Sequence, residues 1–156
     1  MSTTRRPTRG RRRRTRGRSW PSWTGRGRSS VAEVLAARQR ERQRLIGLAR
    51  EHVRRLSERI PVVAAAVAGS VARGDFNVWS DVDLVVISDE LPARIPDRGA
   101  LLAADAPAGV QAVGYTRQEF HRALAKGDPL ATSVVREGVV LRGGPFFREA
   151  ARGTHR

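Results

Sequence analysis

Apolar and polar positions follow two different periods along the chain, and each change of period marks a new element. Apolar residues recur at helical spacing from Val31 towards Leu56, behind Ser30 and Glu33, which have the spacing of a capping box. This predicts a long helix that is polar nearly all round in its first half and apolar along one face in its second. The apolar face, which we expect to pack on a sheet, comprises Leu45, Leu48, Ala49, His52, Val53, Leu56 and Ile60. We expect His52 to be packed rather than to be a ligand.

Short apolar runs bounded by glycine, proline and polar residues predict the strands of that sheet. Strands are expected at 62–68, 81–88 and 110–115, and a shorter one at 139–142. Between the first two, the Gly-Ser pair at 69–70 is expected to open a short helical turn.

Three further helices are predicted in the second half of the chain. They are expected over 98–104, over 117–125 behind the capping box of Thr116 and Glu119, and over 130–137. Gly138 is expected to end the last of these helices in the left-handed conformation.

The order of these elements predicts the fold class. This order indicates an α/β (α+β) protein, in which helices pack on a small sheet. It reads helix, strand, helix, strand, helix, strand, two helices and a strand. The 156 residues suffice for one domain with a modest core. We divide them into a disordered Arg-rich tail at 1–29, an N-terminal helix at 30–60, a core at 61–145 and a frayed C-terminus at 146–156.

The formal net charge of +15 is concentrated at one end of the chain. Residues 1–28 contain 11 of the 30 basic residues and none of the 15 acidic ones. Such a segment has too few apolar groups to offset the entropy of ordering, so disorder is expected. It is either an arm for weak nucleic-acid contact, with Trp20 and Trp23 for base stacking, or an unselective extension such as a start-site artefact. We favour the extension.

Other features of the composition limit the setting of the protein. Cysteine is absent, which excludes disulfides, thiolate metal sites and a cysteine nucleophile and is compatible with a cytoplasmic location. The longest apolar run, 61–68, has the length of a buried strand, so no membrane association is expected. The tail lacks the apolar stretch of a secretory signal.

Two aspartates, Asp81 and Asp83, carry the most specific chemistry. Residues two apart on a strand share a face, so these carboxylates are expected to lie side by side and to repel each other. A divalent cation between them removes that repulsion, and Mg²⁺ suits oxygen ligands that it shares with phosphates. Two such ions can clamp the attacking and leaving oxygens of an in-line displacement.

A Gly-Ser turn precedes the aspartates and is the second part of the motif GSVARGDFNVWSDVDLVVIS. Gly69 lets the backbone approach a phosphate, Ser70 starts a helical turn with free N–H groups, and Arg73 lies one turn further on. Ser80 is a further candidate for binding the nucleotide phosphates, since it directly precedes the acidic strand. Gly-Ser alone is usually a turn and Asp-x-Asp alone a solvated strand edge. Their combination between two strands indicates a site for a metal-bound triphosphate.

The sequence GSVARG followed by SDVDL resembles the nucleotidyltransferases of the DNA polymerase beta superfamily, and among them most closely the minimal nucleotidyltransferases. The resemblance covers about 45–142 and implies a small mixed β-sheet. It also implies that Gly69 and Ser70 hold the phosphates of an NTP, ATP first among them, and that Asp81 and Asp83 bind Mg²⁺ and are catalytic. A nucleoside monophosphate would pass from the NTP to a hydroxyl acceptor. The resemblance also implies that this protein could be an antitoxin whose partner is a HEPN-type toxin.

The third strand departs from the pattern of active members, which commonly carry a third carboxylate there. The sequence VQAVGY has Gln111 near that position, and an amide cannot act as a base at neutral pH. Asp105 and Glu119 flank the strand but are not well placed to substitute. Three explanations are open. Either the alignment of this strand with the family pattern is shifted, or the catalytic activity is weakened, or the acceptor hydroxyl needs no base from this strand.

Three functions therefore compete. The first is an Mg²⁺-dependent nucleotidyltransferase, the second a non-catalytic interaction module of the same fold, and the third an RNA-binding protein that uses its Arg-rich tail. In the loop before the aspartates, Trp79 is expected to cover the edge of the sheet rather than to stack on a base.

Overall fold

The computed structural model of the chain describes residues 29–153, and the interpretations of residues 1–28 and 154–156 lie outside that part. The order of elements follows the expected one, with one helix added at the end. The elements are α1 (Val31–Ser57), β1 (Ala64–Ala68), α2 (Gly69–Arg73), β2 (Val82–Ile87), α3 (Ile95–Ala103), β3 (Val110–Tyr115), α4 (Arg117–Ala125), α5 (Pro129–Glu137), β4 (Val139–Arg142) and α6 (Gly144–Gly153).

The four strands form one mixed sheet in the order β3-β2-β1-β4. Strands β2 and β3 are parallel, joined by a crossover through α3, and β1 is antiparallel to both β2 and β4. The β1–β2 register sets Ala68 opposite Asp83, and the β2–β3 register sets Asp83 opposite Gln111. The fold class expected from the sequence is confirmed, and the register brings the candidate site residues to one end of the sheet.

Each face of the sheet has its own core. On one face, Val82, Leu84 and Val86 are buried in a cluster with residues of α1 and α3. On the other face, Val85 and Ile87 are buried with residues of α4, α5 and α6. The alternation expected for β2 is therefore confirmed, and Asp83 lies on the second face. Among residues 29–153 no helix is long and apolar enough to cross a membrane.

Helix α1 begins and packs as its sequence predicts. Ser30 Oγ accepts a hydrogen bond from Glu33 N at 3.2 Å, and Glu33 Oε2 accepts one from Ser30 N at 2.9 Å, which confirms the capping box. Ile46 joins the buried residues, although it was not expected there. His52 is fully buried, with Nε2 2.8 Å from the carbonyl oxygen of Leu102, so it is a packed residue.

The polar first half of α1 holds α2 and the loop after it. Arg42 donates to the carbonyl oxygens of Val71 at 2.9 Å and Ala72 at 2.5 Å. Arg38 donates to the carbonyl oxygens of Gly74 at 3.2 Å and Phe76 at 2.5 Å. The last carbonyls of a helix lack partners within the helix and carry its negative end, so guanidinium groups stabilise them. These two arginines therefore hold the C-terminal end of α2 and the start of the following loop against α1.

Two expectations for the end of the chain are wrong. Gly138 has φ −64° and ψ 143°, which is extended rather than left-handed. Glycine fits there because a Cβ atom would lie 2.4 Å from the carbonyl oxygen of Val134. The segment 146–156 is not frayed over its described part, because α6 runs to Gly153 and buries Phe147 and Ala150 against the second core.

We expect Phe147→Ala to destabilise the fold by about 3–5 kcal/mol, because it removes a buried ring that packs edge-on against Phe120. Chemical denaturation measures this change, and the exposed Glu149→Ala on the same helix should stay within about 0.5 kcal/mol. A loss below about 1 kcal/mol for Phe147→Ala would contradict the packed helix.

Candidate nucleotide and metal site

The turn from β1 into α2 requires glycine and touches the acidic strand. Gly69 has φ +68°, in the left-handed region that glycine tolerates best. A Cβ atom at this position would lie 2.4 Å from Asp83 Oδ2. The carboxylate therefore lies directly against the backbone of the turn, where any other residue would displace it. The two halves of the motif form one site.

The two aspartates differ in their surroundings. Asp81 is exposed just before β2, whereas Asp83 is partly buried within the strand. Burial raises the pKa of Asp83, the charge of Asp81 raises it further, and the nearby Arg73 lowers it. An ionised Asp83 is therefore held at a cost in free energy, which a bound cation would reduce.

Gln111 lies beside this acid pair, in the position expected from the sequence. It is the register partner of Asp83, and its Nε2 atom donates to Asp81 Oδ2 at 2.7 Å. The two acids that flank β3 are directed elsewhere. Asp105 pairs with Arg59, and Glu119 accepts from Arg98 at 2.8 Å.

The remaining candidates surround the turn. The side-chain hydroxyl of Ser70 is partly exposed and has no hydrogen-bond partner among residues 29–153. Arg73 donates to Asp75 Oδ2 at 3.2 Å and to Glu137 Oε1 at 3.3 Å, and these two bonds, that to Asp75 first, raise its pKa. Arg73 is thus held near the aspartates by two other carboxylates, an anchor that the sequence did not reveal.

Ser80 closes a turn within the loop between α2 and β2. Its Oγ atom accepts from Asn77 N at 2.9 Å, and Asn77 Oδ1 accepts from Trp79 N at 2.8 Å. This turn holds Val78 and Trp79 outwards, with 91% and 88% of their surfaces exposed. The expectation that Trp79 covers the edge of the sheet is therefore wrong.

A cavity of about 800 Å³ opens between this loop and the first half of α1. Asp81 lies at its border, and Trp79, Val78 and Arg38 are among its lining residues. A group bound in the cavity would therefore approach the exposed member of the acid pair.

The donor set fits a divalent cation shared with phosphate oxygens. Asp81 and Asp83 supply carboxylates, and the Gly69–Ser70 turn supplies N–H groups and a free hydroxyl for an anion. Within residues 29–153 no three His, Cys, Asp or Glu side chains are grouped so as to hold a metal ion by themselves. The protein can thus supply part of a coordination shell, and a phosphate-bearing ligand would supply more.

We expect Gly69→Ala to remove ligand binding at this site, because the new Cβ atom would push the Asp83 carboxylate away and strain the backbone. The strain should lower stability by about 1–3 kcal/mol. Gly99→Ala is the matched control, since a Cβ atom there meets nothing within 4 Å on an exposed helix. Denaturation and Mg²⁺-nucleotide titration measure both effects, and Gly69→Ala with unchanged binding would contradict the contact.

We expect Asp83→Asn to raise the melting temperature at pH 7 in the absence of divalent metal. A carboxyl whose pKa is higher in the folded than in the unfolded state destabilises the fold above that pKa, and the effect disappears once both states are protonated. The gain should therefore shrink as the pH falls below about 4. Thermal denaturation across pH tests this, with the exposed Asp89→Asn as control. A less stable Asp83→Asn at pH 7 would contradict it.

Solved structures align with this chain over most of its length. A candidate nucleotidyltransferase from Sulfolobus solfataricus aligns with 18% sequence identity and a TM-score of 0.51, covering 75% of this chain and 89% of its own. A toxin–antitoxin protein crystallised with AMP-PNP aligns with 19% identity and a TM-score of 0.46, covering 68% of this chain and 83% of its own. No curated protein matches the chain. At 18% identity, the likeness to the first of these structures shows the fold alone.

The sequence profile of one family, the nucleotidyltransferase domain, matches residues 49–135. The match covers more than half of the chain and includes the Gly-Ser turn, both aspartates and Gln111. It also agrees with the mixed sheet of the structure. The chain therefore belongs to the nucleotidyltransferase domain family.

Proposed function

We propose that the protein is an Mg²⁺-dependent nucleotidyltransferase that uses an NTP, ATP first among the candidates, and transfers its nucleoside monophosphate to a hydroxyl group. The observation that carries the proposal is the contact between Gly69 and the Asp83 carboxylate. That contact supports the proposal, because it brings the Gly-Ser turn against the acidic strand. The family match supports the reaction class.

Each residue has a separate part in this proposal. Gly69 and Ser70 bind the phosphates through backbone N–H groups and the free hydroxyl, and Arg73 offers positive charge one turn later. Asp81 and Asp83 bind the metal. Ser80, which the sequence suggested as a phosphate ligand, acts by fixing the turn that leads into Asp81.

The transfer itself exchanges one P–O bond for another. The acceptor oxygen forms a bond to the α-phosphorus, the bond from that phosphorus to the bridging oxygen breaks, and pyrophosphate leaves. When bound, Mg²⁺ neutralises charge on the phosphate oxygens. The Gln111 amide beside Asp81 cannot accept the acceptor's proton, so that proton leaves to solvent either directly or through a carboxylate of the acid pair.

The finer proposal concerns the acceptor, which we infer to be a hydroxyl group on a partner protein, with a HEPN-type toxin in an antitoxin pair as the specific candidate. The support is the pair of apolar side chains at the cavity mouth. Val78 and Trp79 are almost fully exposed beside Asp81, and such side chains are enriched in protein interfaces rather than on free surfaces.

A second candidate function is an interaction module that binds nucleotide without turnover. The observation that favours it is the hydrogen bond from Gln111 to Asp81, in a position where active family members commonly have an acid. Binding without transfer of label from an α-labelled nucleotide to any partner would support this alternative.

We expect Mg²⁺-ATP to stabilise the wild-type chain and not the variants Asp81→Asn and Asp83→Asn. At about 100 times the Kd, the ligand should add about 2.7 kcal/mol of stability, which thermal denaturation detects readily. Both variants should remain folded, since neither side chain lies in the cores. Asp89→Asn is the matched control, because Asp89 is exposed and pairs with Arg117 away from the site.

The outcomes separate the proposals. Wild-type stabilisation that both site variants lose, while the control retains it, supports the assignment. Equal stabilisation of all four proteins would place the nucleotide elsewhere, and no stabilisation by any Mg²⁺-nucleoside triphosphate would reject the proposed function.

A further inference from the structure

One hydrogen bond within the site is not explained by phosphate or metal binding. Gln111 Nε2 lies 2.7 Å from Asp81 Oδ2, and the bond joins β3 to the residue just before β2. An ionised carboxylate only accepts hydrogen bonds, so the amide must present its NH₂ group to Asp81. The chemistry thus fixes which end of the amide faces the acid.

This bond makes the two aspartates unequal. One oxygen of Asp81 is occupied by a donor from the protein itself. Among residues 29–153, by contrast, no donor is bound to the Asp83 carboxylate, which rests against Gly69. Asp83 therefore has no oxygen engaged by a donor from the described part of the protein, whereas one oxygen of Asp81 is already shared with an amide N–H.

Two metal ions need more oxygen ligands from this site than a single ion does. Ions about 3.5–4 Å apart share bridging oxygens, and each needs further carboxylate or phosphate ligands. Here the nearest side chain on β3 offers an N–H donor, which repels a cation. Asp105 and Glu119 are committed to Arg59 and Arg98, so neither supplies the missing ligand.

Building on the proposed function, we infer that Gln111 limits the site to one divalent ion, although the sequence motif suggests two. The Nε2–H group occupies Asp81 Oδ2 in the place of a second cation. The first ion must compete with this amide for Asp81, so Gln111 also weakens its binding. Gln111 is thus a positioning residue that sets how many ions the acid pair takes.

The test is a titration of the full chain with Mn²⁺, in which electron paramagnetic resonance measures the free ion. Two substitutions change Gln111 in opposite ways. Gln111→Leu keeps the approximate size and removes the donor, while Gln111→Glu keeps the length and adds a carboxylate. Gln118→Glu adds the same charge at an exposed position of α4 and is the matched control.

We expect one bound Mn²⁺ per wild-type chain and one per Gln118→Glu chain, with similar Kd. Gln111→Leu should also bind one ion, about tenfold more tightly, because a hydrogen bond to a charged group no longer competes. Gln111→Glu should bind two. Circular dichroism checks that each variant is folded. We expect the Gln111 variants to fold, because Gln111 is exposed on an edge strand of the sheet.

Other outcomes would overturn the inference and leave the proposed function intact. Two ions on the wild-type chain would show that the amide does not limit the site. Weaker binding by Gln111→Leu would show that the amide supports the first ion, for instance through its carbonyl oxygen. If none of the four proteins binds Mn²⁺, the inference is overturned, and the proposed function fails with it only if Mg²⁺-ATP also leaves the wild-type chain unstabilised. If Asp83→Asn binds Mn²⁺ as the wild type does, the ion is not held by the acid pair and both fail.

Discussion

The site depends on the antiparallel register between β1 and β2. Because Ala68 lies opposite Asp83, the strand end that turns into α2 brings Gly69 against the Asp83 carboxylate. A shift of one residue would direct Asp83 to the other face of the sheet, into the core formed with α1 and α3. The register is specified by that burial, since one set of alternate residues of β2 fills each core. The same packing that stabilises the sheet thus brings the candidate site residues together.

The elements around the site hold it from several directions. Arg38 and Arg42 of α1 bind the end of α2 and the loop that follows, and Asp75 and Glu137 hold Arg73. The buried strand β1 is almost entirely alanine, so helices approach the sheet closely on both faces. Within these contacts, burial and the neighbouring charge of Asp81 raise the pKa of Asp83, so an ionised carboxylate at this position lowers stability.

Sequence reasoning succeeded where the determinants are local. The two capping boxes involve residues three apart, and both helices begin where their sequences predict. The motif around Gly69 and Asp83 was also recognisable, because strand, turn and strand follow one another directly. The α6 helix was not predicted, because Phe147 packs it against elements that are distant in the sequence. The conformation of Gly138 was predicted wrongly, because a close contact with α5, and not a positive φ, requires glycine there. Two further sets of hydrogen bonds join residues that are about 30 or more positions apart in the sequence. They are the bonds from Arg38 and Arg42 to α2 and its loop, and the bond from Gln111 to Asp81. A local sequence pattern does not reveal such pairs.

The Gly-Ser turn and the two aspartates are proposed to form one metal–nucleotide site in this protein of the nucleotidyltransferase domain family. The most direct measurement is a crystal structure of the chain with Mn²⁺ and a non-hydrolysable ATP analogue, with the metal located by its anomalous scattering. The expected result is one Mn²⁺ ion contacting Asp83 and Asp81, with the triphosphate on Gly69 and Ser70. A nucleotide bound away from this turn, or an acid pair without metal in the presence of bound nucleotide, would contradict the account.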